Sequence, residues 1–467
     1  MNDESNTPPR RDPEEMAFYK KREKIIPREV HGLFALWRNV AMVALLGFFY
    51  GMPYVQWNGQ QAILFDLPER KFHLFGLTLW PQDFFYLAML LIISALALFF
   101  FTAIAGRLWC GYACPQTVWT EIFLWIERKI EGSRQQQLKL DKAPMDAEKL
   151  LRRGTKQLVW LLFSLWTGFT FVGWFTPITE LWQSSLNLTL GPWETFWILF
   201  YGLATYGNAG WLREQVCIYM CPYARFQSAM FDKDTLLIAY DEQRGEPRGA
   251  RKKSAKPEEL DLGSCVDCKL CVQVCPTGID IRDGLQYQCI GCAACIDICD
   301  EVMEKMGYPK GLVRYTTEHE LSGGKTDLFR PRVLVYGSLL LLITLALFYS
   351  LATRVPLQVD ILRDRNTLYV ENNQGLIENV YTLRVLNMQE RDEVYELSIS
   401  GIEGAELVLD SKTLQVPAGD ILDQPLRVKV DPVNLKSATS KLNFHIRSVK
   451  TEGLEVTQEN RFLGPRG

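Results

Sequence analysis

Twelve cysteines set what chemistry this chain of 467 residues can do, and all of them fall between Cys110 and Cys299. Crowding into one central stretch fits metal ligation better than a disulfide framework. Residues 265–276 read Cys-Val-Asp-Cys-Lys-Leu-Cys-Val-Gln-Val-Cys-Pro, and Cys289, Cys292, Cys295 and Cys299 repeat that spacing 24 residues later. In such a run three thiolates of a tight loop wrap one cubane, while the fourth, delivered from the following helix, reaches the neighbouring one. Two 4Fe-4S clusters are expected. Cys265, Cys268, Cys271 and Cys299 hold the first, and Cys289, Cys292, Cys295 and Cys275 the second. Zinc is the competing occupant of C-x2-C pairs. The duplicated pattern, Pro276 after the first set and the lack of a nearby histidine speak against it; Asp300 stands where the second set would usually have proline.

A second duplication lies upstream. Cys110-Gly111-Tyr112-Ala113-Cys114-Pro115 is echoed by Cys217-Ile218-Tyr219-Met220-Cys221-Pro222, an offset of 217 − 110 = 107 residues. Each copy follows an apolar run, which implies a repeated unit of two helices plus one C-x3-C-P. The two motifs are expected to meet at one depth. On a helix, residues four apart share a face, so Cys110, Cys114, Cys217 and Cys221 would form a soft thiolate site for copper, zinc or a further iron–sulfur cluster. Buried packing cysteines, or a redox-active disulfide pair, are the plainer alternative.

The elements that position these thiols read as membrane helices. Phe84 to Ala105 has no ionisable residue and is long enough to cross a hydrocarbon core of roughly 30 Å. Ala35 to Val55, Gln157 to Phe175, Trp193 to Asn208 and Val333 to Leu351 bring the expected spans to five; a buried soluble helix is the alternative for the short fourth one. Lys and Arg collect before the first span, including Arg10, Arg11, Lys20, Lys21 and Arg22, and again from Arg107 to Lys156. That bias predicts a cytoplasmic N-terminus, cytoplasmic cysteines and an external C-terminus. No apolar core follows a short basic start, so no cleavable signal peptide is expected.

The cysteine-free tail reads as short strands at Thr367–Glu371, Asn379–Asn387, Val394–Ser400, Leu426–Val430 and Lys441–Ser448, an immunoglobulin-like sandwich with a binding or scaffolding role. A net charge of −3 gives no basic footprint, so no nucleic acid partner is expected. The histidines, His31, His73, His319 and His445, all lie outside the spans, which excludes an intramembrane bis-histidine haem, and none is given a ligand role. No G-x-G-x-x-G marks a nucleotide site, and Gly323-Gly324-Lys325-Thr326 lacks the upstream glycine of a phosphate loop. Electrons must therefore come from a partner, a quinol or a reduced carrier.

The stretches Gly106–Trp119, Glu214–Asp232 and Cys275–Tyr315 resemble the FixG/RdxA/CcoG family of cytochrome oxidase accessory proteins, and the likeness extends over most of the chain. The resemblance implies a bacterial inner-membrane polyferredoxin needed for assembly of the cbb-type oxidase. It also implies reduction of cupric to cuprous copper in the cytoplasm, with oxidase-assembly and copper-handling proteins as partners besides membrane lipid. The eight cluster cysteines carry over, as do the paired C-x3-C-P motifs at Cys110, Cys114, Cys217 and Cys221; the leading hypothesis makes these four the catalytic thiols at which copper is reduced and held. The expected fold is a multidomain membrane protein. It comprises a cytoplasmic segment 1–34; a four-helix membrane domain 35–232; a cytoplasmic bacterial-type ferredoxin domain (α+β) 233–331 with two 4Fe-4S clusters; a fifth transmembrane helix 332–354; and a periplasmic, all-β immunoglobulin-like domain 355–467. Two further functions are weighed: a quinol-linked electron conduit to another reductase, and an assembly chaperone whose tail grips an oxidase subunit.

Overall fold

The computed structural model describes residues 24–253, 261–364, 367–389, 391–409, 411 and 413–465. The basic cluster Arg10 to Arg22 lies outside them. The chain divides into two compact units. One comprises residues 1–52, 94–173 and 179–338; the other comprises 53–93, 174–178 and 339–467.

The helices follow the apolar runs. Among them are α1 (Leu33–Gly51), α2 (Phe84–Ala105), α3 (Leu108–Tyr112), α4 (Pro115–Glu131), α5 (Ala147–Val172), α6 (Pro192–Thr205), α7 (Pro222–Ser228), α8 (Ala294–Met306) and α9 (Pro331–Ala352). Among the described residues three helices are long and apolar enough to cross a bilayer: Leu33–Tyr54, Pro81–Ala105 and Pro331–Ala352. Their apolar side chains are largely unburied, as on Val43, Leu91 and Leu342, which lipid rather than protein would cover.

The other two expected spans are helices of a different make. The N-terminal half of α5 carries Lys149, Arg152, Arg153 and Lys156, and α6 has 14 residues before the chain widens into π-type turns over Tyr206–Leu212. Small residues let these two helices cross closely. A Cβ on Gly168 would stand 2.2 Å from the Ile198 carbonyl oxygen, so only glycine fits the crossing.

Around α4 and α5 a buried ion network replaces an apolar seam. Glu127 meets Lys24 at 2.8 Å, Lys156 at 3.2 Å and Arg213 at 2.7 Å, while Lys156 also reaches Glu131 at 2.6 Å. Burial alone would raise the Glu127 pKa, but Arg213, Lys24 and Lys156 together hold it down at about 2.

The ferredoxin region belongs to the same unit. Its core joins Ile238 and Tyr240, from the strand Leu237–Tyr240, to Val313 of the antiparallel strand Val313–Thr316 and to Ile296 and Met303 of α8. Helix α1 is attached to this core at its first turn. The Asp297 carboxylate of α8 accepts hydrogen bonds from the Phe34 and Ala35 amides at 3.1 and 2.7 Å, which is the work of an N-cap residue done from a distant helix.

In the second unit two antiparallel sheets form a sandwich. One runs Glu406–Val408, Ile421–Val430, Ile377–Asn387, Leu357–Arg363; the other runs Thr413–Val416, Glu393–Ser400, Thr439–Ser448, Glu455–Leu463. Alternate side chains such as Tyr381, Leu383, Val428, Phe444 and Phe462 fill the space between them. The strands expected at 379–387, 394–400, 426–430 and 441–448 are present and longer. Only Val370 and Glu371 of the expected strand 367–371 pair. The same unit holds a three-stranded meander, Ile63–Asp66, Lys71–Leu74 and Leu77–Leu79, in the stretch that the sequence reading left between the first two spans.

Candidate functional site

Two small cavities collect the eight ferredoxin thiols. One is lined by Cys265, Cys268, Cys271 and Cys299. The other is lined by Cys275, Cys289, Cys292 and Cys295, with Cys271 at its border. The fourth sulfur of each group comes from the other half of the repeat because of how the chain leaves each loop. The first loop leads into the short helix Leu270–Val274, which stops at Cys275, in extended backbone before Pro276; α8 carries Cys299 back to the first cavity.

The duplication is also written in the backbone. Asp267 and Lys269 take left-handed conformations (φ 50° and 54°), and so do their counterparts 24 residues on, Gly291 (70°) and Ala293 (58°). Three non-glycine residues held there mark loops wound tightly about a centre.

These thiols suit an iron–sulfur cluster as a donor set: all sulfur, four to a cavity, with Cys265 buried, Cys268 exposed and the other six partly buried. Burial pushes the thiols of Cys271, Cys289 and Cys299 up to about 12 and raises Cys292 and Cys295 as well. Without metal they hold protons, which a cluster displaces on binding. Among the described residues no group of three or more His, Cys, Asp or Glu side chains forms a ready site for a single metal ion.

The four upstream thiols converge beside the second cavity. Cys110 and Cys217 are pushed up to about 12, first by burial and then by the other thiols of the group. The expected helical face is not how they are presented. Pro115 and Pro222 each begin a helix, so Cys114 and Cys221 sit in extended backbone at the N-cap (φ −62°, ψ 128° and φ −80°, ψ 111°) while Cys110 and Cys217 lie in the preceding turn. The residue before proline is disfavoured in the α region, and the helix that would have aligned each pair is broken there.

What joins this group to the second cavity was not singled out from the sequence. Arg107, 7% exposed, donates to the carbonyls of Tyr287, Cys289 (3.1 Å) and Ala224, and so ties the cluster loop and the second C-x3-C-P copy to the first. Beside it, a Cβ on Gly111 would lie 2.7 Å from the Gly291 oxygen and 2.9 Å from the Cys292 Cα. The signal was present as broken symmetry. At the 107-residue offset Arg107 faces Glu214 and Gly111 faces Ile218, so the first copy alone carries the residues for a close approach. Tyr315 completes the contact by donating its hydroxyl to the Gly291 oxygen at 2.7 Å.

Comparison with known proteins follows the same division. A model of a 4Fe-4S dicluster domain matches residues 212–318, and one of a 4Fe-4S binding domain matches residues 87–132, over the first C-x3-C-P; an IG-like fold at the C-terminal of FixG matches residues 347–465. Protein RdxB of Cereibacter sphaeroides is 40% identical over 430 residues, covering 88% of this chain and 90% of its own length. Nitrogen fixation protein FixG of Rhizobium meliloti is 38% identical over 427 residues, 84% of this chain and 82% of its own. Ferredoxin-type protein NapH of Haemophilus influenzae is 24% identical over 260 residues, 54% and 78% respectively. At 38–40% identity over 84–88% of this chain and 82–90% of the relatives' own lengths, the chain belongs to the FixG/RdxA family of iron–sulfur electron-transfer proteins.

Proposed function

We propose that this protein carries single electrons to the thiols of Cys110, Cys114, Cys217 and Cys221, where cupric ion, as substrate, is reduced to cuprous ion for assembly of a cbb-type oxidase. The electrons are supplied by two 4Fe-4S clusters, held by Cys265, Cys268, Cys271 and Cys299 and by Cys289, Cys292, Cys295 and Cys275, which change charge by one electron each. The observation that carries this reading is the seam at Arg107 and Gly111, which brings the four upstream thiols against the second cluster loop with backbone in contact. Soft sulfur ligands favour cuprous over cupric ion, so the same four thiols would promote the reduction and keep its product. Cys268, exposed at the first cavity, is the natural side for exchange with a soluble partner.

In this reading the protein crosses the bacterial inner membrane five times, α5 and α6 included, with its clusters cytoplasmic and its sandwich periplasmic. The excess of Lys and Arg before α1 and between α2 and α5 supports that sidedness.

A test is anaerobic cupric reduction by the purified full chain after its clusters have been reduced with dithionite and the excess reductant removed by desalting. Serine at all four of Cys110, Cys114, Cys217 and Cys221 is expected to abolish the activity while leaving the electron paramagnetic resonance of the reduced clusters in place; retained activity would refute the assignment. A second reading has its own support, since the match of residues 87–132 to a 4Fe-4S binding domain spans Cys110 and Cys114. There the four thiols hold a third cluster, and iron analysis separates the two, about eight atoms per chain against about twelve.

A further inference from the structure

One cavity belongs to neither thiol group yet touches both. It has a volume of about 250 Å³ and is lined by Cys292 from the second cluster loop and by Cys217 from the upstream thiols. We propose that it binds the head group of a quinone or hydroquinone, the electron donor that the proposed function requires; the inference rests on that reading for its purpose, though not for its site.

Its walls select for this chemistry. Met42, Leu124 and Trp125 give it apolar sides, and Arg38, Gln116 and Glu121 place donors and an acceptor around the rim. A flat ring with an oxygen at each end needs such a setting. The volume is too small for a dinucleotide, and the sequence has no G-x-G-x-x-G loop to hold one. Four arginines against three glutamates line the space, which disfavours a bare metal cation. Helix α1 contributes its first turns, from Ala35 to Met42, where its apolar run begins, and Trp125 on α4 is 51% exposed. An amphiphile with its tail among lipids would enter at this level.

The electron count closes. Oxidation of a hydroquinone to the quinone releases two electrons and two protons, and the two one-electron iron–sulfur centres assigned above take one electron each. Arg38, whose guanidinium donates to the Cys292 carbonyl, fixes the wall between cavity and cluster loop, and both protons leave to solvent past the cavity's polar lining, where Glu121 stands 2.7 Å from Arg128.

The test uses the detergent-solubilised full chain and a short-chain azidoquinone. Photolabelling is expected in peptides 33–51 and 115–131. Met42→Trp, which fills the cavity, is expected to lose at least nine-tenths of the label and to slow reoxidation of the pre-reduced protein by duroquinone at least tenfold. Val43→Trp, on an exposed position outside the cavity, is expected to change neither. Dithionite-reduced resonance spectra verify that each variant is folded and loaded. Labelling that falls elsewhere, or equal labelling of wild type and Met42→Trp, overturns the proposal, as does displacement of the azidoquinone by stoichiometric cupric ion, which would make the cavity a metal entry. Failure here with copper reduction by the pre-reduced, desalted protein intact leaves the proposed function standing. Loss of copper reduction with labelling intact does the reverse.

Discussion

Replacing Arg107 by glutamine removes a charge and a three-way clasp at one stroke, and the two effects can be read separately. The side chain is buried and donates to three backbone carbonyls, one of them that of Cys289. Leaving buried carbonyls unpaired costs roughly 1–3 kcal/mol each, and because the three act as a unit the expected loss is about 3–5 kcal/mol of stability. The charge acts on the cluster itself. Arg107 lies among the groups that favour the charged forms of Cys110, Cys217 and Cys289, so it also favours the extra negative charge of a reduced second cluster. At a separation on the order of 8 Å and an effective dielectric of about 20, Coulomb's law gives about 2 kcal/mol. For a one-electron couple that is about 90 mV. Potentiometric titration followed by electron paramagnetic resonance should show the second cluster of Arg107→Gln about 90 mV more negative than wild type and the first unmoved. Arg107→Lys, which keeps the charge without the fork, should lose stability while shifting the potential by less than about a third of that. Equal shifts at both clusters, or none, would refute the electrostatic coupling.

Other perturbations test the scaffold. Glu127→Gln leaves Lys24, Lys156 and Arg213 facing one carboxylate fewer and should cost about 3–5 kcal/mol in detergent-melting experiments. Because the folded Glu127 pKa is depressed to about 2 from its ordinary 4.5, its contribution is fully present above pH 4.5 and fades as the pH falls toward 2, so the variant should melt with a shallower acid dependence than wild type over that window. Gly168→Ala sets a methyl 2.2 Å from the Ile198 oxygen and should lower stability by about 1–3 kcal/mol, with proteolysis appearing first between α5 and α6; an unchanged melt would mean that these helices cross less closely. Gly32→Ala places its Cβ 2.4 Å from the Asp297 carboxyl and should uncouple α1 from α8 at a cost of about 0.5–2 kcal/mol, read as faster hydrogen exchange at Phe34 and Ala35.

How much of this was legible depends on whether the information is local. Ligand spacing is local, so the grouping of thiols by cavity follows from counting residues between Cys265 and Cys299. The long strands of the sandwich are legible for the same reason, since alternation in Ile377–Asn387 and Thr439–Ser448 extends over ten or more residues. The meander at 63–79 was missed because its strands have three or four residues and, with Ile63 and Leu64 buried side by side and the rest half-buried, show no alternation to count. The helical face expected for C-x3-C-P was overruled by the prolines in the motif itself. Arg107, Gly111 and Asp297 act across gaps of more than a hundred residues, and nothing in their neighbours announces a partner.

The amides that Asp297 satisfies belong to residues made long before it. Ala35 and its acceptor are 262 positions apart, so during synthesis the first apolar helix enters the bilayer with its leading amides open and waits for more than half of the remaining chain to appear. Since α8 carries Cys295 and Cys299, iron insertion and the anchoring of that helix become one event. A chain starved of iron would present a loose first helix, a defect that quality-control proteases can read before any electron is ever transferred.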